Sequence, residues 1–145
     1  MSELLDWNPV WTRIESWCRV LIARVEAAHP RAVPFPYRAA PTEFFPFAAS
    51  VAFAYKDDLA GDDAGCISFD AHSDGQRLLL TADLLRGSHS ACLDGPTETI
   101  PFSAGRAAIE AAVTKWADRL EHFILDEACP MLIANMNADA AAKGT

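Results

Sequence analysis

The chain has 145 residues, of which 51% are hydrophobic, with 20 acidic against 12 basic side chains and a formal charge of −8. That is the length of one ordinary domain, with enough apolar material for one core without a disulfide or metal staple. The acidic balance disfavours nucleic acid as a ligand, because phosphate binding needs cations, and no apolar run approaches the roughly 20 residues of a membrane span.

The first seven residues carry Glu3 and Asp6 and no basic stretch, so they do not read as a secretion signal. The expected compartment is the cytoplasm. A helix is predicted over 9–29, with Asn8 as its cap and Pro9 in its first position. Val10, Ile14, Cys18, Leu21 and Val25 make one apolar stripe, which Trp11, Trp17 and Ile22 widen. Trp11 belongs to the core on this reading; Trp7 and Trp17 fall off the stripe and cover its rims. Pro30 ends the helix.

Residues 30–47 hold Pro30, Pro34, Pro36, Pro41 and Pro46. No regular helix passes through them, so an extended crossover is expected. Phe35, Tyr37, Phe44, Phe45 and Phe47 are expected to pin it to the core. A regular PxxP pattern is missing, which disfavours a polyproline ligand.

An antiparallel meander of three to five strands is predicted over about 49–102. Val51, Phe53 and Tyr55 alternate with Ala52 and Ala54; Ile67, Phe69 and Ala71 alternate with Cys66, Ser68, Asp70 and His72. Ser73-Asp74-Gly75 is a hairpin turn. Leu78, Leu80, Ala82 and Leu84 face the core in the next strand. Leu79 and Leu85 on its other side mark a central or partly covered strand. Asp94-Gly95-Pro96 separates two weaker strands, near 88–93 and 97–102.

A second long helix is predicted over about 104–128, capped by Ser103 and ended by Pro130. Ile109, Ala112, Val113, Trp116, Leu120, Phe123 and Ile124 form its stripe. A short apolar turn at 131–136 and a frayed tail follow. The fold class is thus α+β, a two-layer sandwich with the meander packed on an N-terminal and a C-terminal helix. The sheet face bearing Ser68, Asp70, His72, Arg77, Thr81 and Asp83 is left open.

The acidity is concentrated. Residues 57–98 hold nine acidic side chains against Arg77 and Arg86, a net of −7. Such a field attracts a basic protein partner. The expected recognition face comprises Asp57, Asp58, Asp62, Asp63, Asp70, His72, Asp74 and Asp83. Asp70, His72 and Asp83 also make the one cluster with chemical interest, since a carboxylate beside an imidazole orients a base. Ser68, Ser88, Ser90 and Cys92 are the nearest candidate nucleophiles, and none lies in a recognised motif. The loop at 57–63 lacks the closing glutamate of a calcium hand, Ser68 standing where it belongs. His72 and His89 have no zinc spacing. Cys18, Cys66, Cys92 and Cys129 fall in apolar surroundings and read as reduced core residues. No catalytic residue, metal or cofactor is expected.

Two stretches carry a resemblance. GCISFDAHSDGQRLLLTADLL, a strand-turn-strand with a DG turn, is followed by IEAAVTKWADRLEHFI, a closing amphipathic helix. Together they cover the C-terminal half. The layout resembles the immunity proteins of bacterial polymorphic and contact-dependent toxin systems, in particular the TriTu-type family. That resemblance implies a protein that binds a cognate toxin domain inside the cell and blocks it, as a monomer or homodimer. Two other functions fit the composition: a chaperone for a secreted effector, and a small enzyme or ligand-binding domain using the Asp70/His72 face. The chaperone would be an obligate dimer with its sheet broken by a helix; the enzyme would have a pocket beside Asp70 and His72.

Overall fold

The first helix, α1, spans Asn8–Ala28 in a computed structural model that describes residues 5–57, 64–86 and 90–143. The Asn8 N–H donates to Asp6 Oδ1 at 3.0 Å. Asp6, not Asn8, therefore serves the free amide at this end, and Pro9 sits in the first turn, where a missing N–H costs nothing. The expected stripe is the buried one: Val10, Ile14, Cys18, Leu21 and Val25. Burial stabilises each by about 1.5–3 kcal/mol for the larger side chains. Trp7 is not at the rim; it is buried and stacks on Phe47 with ring centroids 5.4 Å apart. Trp11 and Trp17 are half-buried against the core.

The proline-rich passage is only partly a crossover. Ala32–Arg38 forms a strand, β1, antiparallel to β2 at Phe47–Tyr55. Lys56 N–H donates to the Arg31 carbonyl and Ala39 N–H to the Ala48 carbonyl. With that register, odd-numbered residues of β1 bond to β2 and even-numbered ones point outward. Pro34 and Pro36 thus place their missing N–H groups on the free edge, where the ladder does not need them. Sequence composition hid this strand because the prolines fall at every second position.

The same register corrects the expectation for the aromatics. Phe35 lies opposite Ala52 and Tyr37 opposite Ser50, on the sheet face away from the helices. Of the five, only Phe47 is core; Phe35, Tyr37, Phe44 and Phe45 are 47%, 62%, 60% and 43% exposed.

The remaining strands are β3 at Gly65–Ser73, β4 at Arg77–Arg86, β5 at Ser90–Asp94 and β6 at Glu98–Pro101. All pairings are antiparallel, in the order β1-β2-β3-β4-β5, and β6 also pairs with β4. Six strands exceed the expected count because β1 joins. The β3–β4 turn forms as expected. Asp74 Oδ1 accepts the N–H groups of Gln76 and Arg77, and Gly75 has φ +90°, which favours glycine. At β6, Phe102 N–H donates to the Gln76 carbonyl, so Pro101 points outward. The free sides of β1 and β6 are both blunted by proline.

Gly95, between β5 and β6, marks a close approach. A Cβ there would lie 2.8 Å from the Ala82 carbonyl oxygen and 2.9 Å from the Phe123 ring.

Among the described residues the helix layer holds three α-helices, not two. Gly105, φ +94°, stands before α2 at Arg106–His122, and Ser103 makes no cap hydrogen bond. Pro130 does not end the helix: a π-helical segment, Phe123–Ala128, leads into α3 at Cys129–Lys143. The tail expected to fray is thus largely helical. Cys129 N–H donates to the Ile124 carbonyl, five residues back. In that register the Leu125 carbonyl would be served by residue 130, a proline without an N–H. Arg24 Nη1 donates to Leu125 at 3.1 Å instead. Arg24→Ala is expected to cost about 1 kcal/mol of stability in urea unfolding; an unchanged midpoint would mean that water serves that carbonyl equally well.

Phe53, Ile67, Phe69, Leu80 and Leu84 of the sheet meet Ile14, Leu21, Trp116, Leu120 and Leu132 of the helices in one buried cluster. Cys18 and Cys129 belong to it, but Cys66 is half-buried and Cys92 exposed, and none forms a disulfide. No helix among the described residues is long and apolar enough to cross a membrane.

Candidate functional site

All described helices pack on one side of the sheet, so the other side is open, as the alternation in β3 and β4 requires. Its rows across the strands follow from the registers. One runs Phe35, Ala52, Cys66, Leu85; the next runs Tyr37, Ser50, Ser68, Asp83, Asp94. A third sets Ala48, Asp70 and Thr81 side by side, and a fourth His72, Leu79 and Thr99. Phe45 closes that end by stacking on His72, with ring centroids 5.0 Å apart.

This face is both apolar and acidic. Phe35, Tyr37, Phe45 and Leu79 are exposed on or beside it. Asp70, Asp83 and Asp94 share it, and none has a salt-bridge partner among the described residues. Partial burial, and then the neighbouring Asp83 carboxylate, hold the Asp70 carboxyl above its ordinary range. Burial and then Asp94 do the same to Asp83. Asp83 and Asp94 are direct cross-strand partners, an arrangement that costs stability.

The sign of the pH effect follows. For both groups the folded pKa lies above the unfolded one. Below the ordinary carboxylate range both states are protonated and the penalty is absent; it develops as pH rises through the raised folded value, so stability falls with rising pH there. Asp70→Asn is expected to raise stability by roughly 0.5 kcal/mol near neutrality and to lose that gain in acid. Urea unfolding at several pH values checks this; a gain independent of pH would assign it to packing.

The expected recognition residues do not all converge. Asp70, Asp83 and His72 lie on the open face. Asp57 lies beyond the far end of β2 and pairs with Arg31 at 3.1 Å. Asp74 is in the turn at the opposite end, about 30 Å away by strand length. There it accepts two backbone N–H groups and pairs with the Arg77 guanidinium, which hold its carboxyl below the usual range. Its work is to set the turn. Asp58, Asp62 and Asp63 lie outside the described residues, as do Ser88 and His89. Glu98 faces the helices, 3.3 Å from both Lys115 and Arg119. Sequence reasoning placed Leu79 on this side of its strand, as found, but missed Phe35, Tyr37, Phe45 and Asp94 as members of the face. For β1, the alternation of Val33, Phe35 and Tyr37 with Pro34 and Pro36 was the available signal.

A hollow of about 280 Å³ lies at the Asp74 end, lined by His72, Asp74, Arg77, Leu79 and Thr99. Asp70 does not line it. His72 makes no hydrogen bond to a carboxylate among the described residues, and Arg77 is engaged by Asp74. Ser68 Oγ lies 3.9 Å from Cys66 Sγ; Asp83 is its cross-strand neighbour, but no hydrogen bond joins the two. The geometry provides apolar area and uncompensated negative charge. Among the described residues no hydrogen bond joins a candidate nucleophile on this face to a base. No group of three His, Cys, Asp or Glu side chains among the described residues is placed to hold a metal.

Neither a protein-family model, nor a curated protein, nor a solved structure matches the chain.

Proposed function

We propose that this is a non-catalytic binding protein of the immunity type, which neutralises a cognate basic toxin domain by covering it with the open sheet face. One observation carries the reading: exposed Phe35, Tyr37 and Leu79 share that face with Asp70, Asp83 and Asp94, which have no salt-bridge partner among the described residues. Solvated ornament would not combine uncovered aromatics with carboxylates held against each other's charge. A basic surface would relieve the repulsion and bury the aromatics in the same act.

The face also disfavours a second copy of the chain. A twofold pairing would bring six carboxylates together, and proline blunts the free edges of β1 and β6. A monomer that awaits a different, basic partner fits better than the obligate dimer of a secretion chaperone. The neutralising role itself rests on the resemblance of 65–85 and 109–124 to immunity proteins.

The test is co-expression with the polypeptide encoded by the adjacent open reading frame. The reading expects a co-purifying complex and protection of the cell, both lost when Asp70, Asp83 and Asp94 are changed together to lysine. Binding unchanged by that reversal and insensitive to salt would contradict it.

A further inference from the structure

We infer that the element received by this face is an amphipathic α-helix with a basic flank, laid along β2 and β3. The inference rests on the reading above, that the open face binds a basic protein, and says which shape of partner it takes.

The shape comes from the side-chain sizes across the rows. Phe35 and Tyr37 stand on β1, and Leu85 and Asp83 on β4. Between them β2 and β3 present Ala52 beside Cys66 and Ser50 beside Ser68. Large side chains thus flank a floor of small, half-buried ones. The walls stand on strands three spacings apart, about 14 Å. A helix with its side chains is about 10–12 Å across. An added strand would need a free ladder edge beside the aromatics, and β1 denies one through Pro34 and Pro36; the free side of β5 lies beyond the acidic wall, away from Phe35 and Tyr37.

Length and charge agree with the width. The floor continues to Ala48, opposite Asp70, giving about 15 Å along the strands, nearly three helical turns. The Phe45–His72 stack closes that end. The walls differ in kind. The β1 side is aromatic, whereas Asp83 and its partner Asp94 line the β4–β5 side. A helix seated here would turn apolar residues to the floor and the aromatics, and lysine or arginine to the acidic side. Seating it would add a helix layer to the second face of the sheet.

The experiment uses the full chain and an 18-residue leucine/lysine amphipathic helical peptide as probe, read by amide NMR shifts. Controls are a peptide of the same composition with two leucines replaced by proline, and a leucine/glutamate helix. Saturable shifts at Ser50, Ala52, Ser68 and Asp83 are expected with the first peptide only. Ser50→Trp, which fills the floor, should weaken binding roughly tenfold or more, equivalent to about 1.4 kcal/mol; Asp83→Lys, on the wall, should do the same without touching the floor. Equal shifts from the proline peptide, shifts confined to other surfaces, or no shifts by about 1 mM peptide would each overturn the helix inference. If the adjacent gene product still binds through Phe35 and Tyr37 in those cases, only the helix is wrong. If it does not, the binding reading falls as well.

Discussion

Trp116→Ala is expected to lower the unfolding free energy by about 3–5 kcal/mol, the largest single-residue loss in the helix layer. Trp116 is fully buried, and its Nε1 donates to the Pro96 carbonyl at 3.0 Å. The side chain thus ties α2 to the turn between β5 and β6. Truncation would empty the largest fully buried side chain of the core and strand a buried carbonyl. Gly95 next to it limits collapse, because its backbone already lies against Ala82 and the Phe123 ring. Trp116→Phe, which keeps much of the volume and drops the donor, should cost less, about 1–3 kcal/mol. Urea unfolding with an unchanged m-value is the check. A loss under about 1 kcal/mol for alanine would mean that the site relaxes freely, contrary to close packing.

The opposite behaviour is expected at the open face. Phe35→Ala combined with Tyr37→Ala should leave stability within about 0.5 kcal/mol of the parent, since both side chains are largely exposed. The same pair should weaken the complex with the basic partner about a hundredfold, close to 3 kcal/mol, because exposed aromatics beside a charge pattern are where binding energy concentrates. The separation of the two readouts carries the meaning. Residues retained for packing lose stability when truncated; residues retained for recognition lose affinity alone. If the pair instead unfolds the protein and leaves affinity intact, the aromatics are part of the core and the face is misassigned.

Much of the fold was legible in periodicity. The stripe from Val10 to Val25 and the alternation in β2, β3 and β4 specify their burial directly, because each has one wet side and one dry side. The open face followed from the same alternation, and Asp70, His72 and Asp83 were placed on it from β3 and β4. What was not legible had local causes. Pro34 and Pro36 argue against a strand unless they fall on an outward-facing register, which depends on the pairing of Lys56 with Arg31. Losing β1 meant losing Phe35 and Tyr37 from the face. Pro130 argues for a helix end unless a π-helical shift precedes it and Arg24, over a hundred positions earlier, takes up the stranded carbonyl. The acidic run in the sequence was real, yet strand length carries Asp57 and Asp74 to opposite ends of the sheet, and the Ser73–Gly75 turn uses Asp74 for itself. Charge density along a chain does not become a patch until the register is known.

The central claim is that the open sheet face, and not the helix layer, meets the partner. Amide and side-chain NMR of the full chain, titrated with the adjacent gene product, tests it most directly. The account predicts that perturbations gather on Phe35, Tyr37, Ser50, Ser68, Asp70, Asp83 and Asp94 and weaken as salt rises. Perturbations gathered on the exposed sides of α1, α2 and α3, with the open face unmoved, would contradict it.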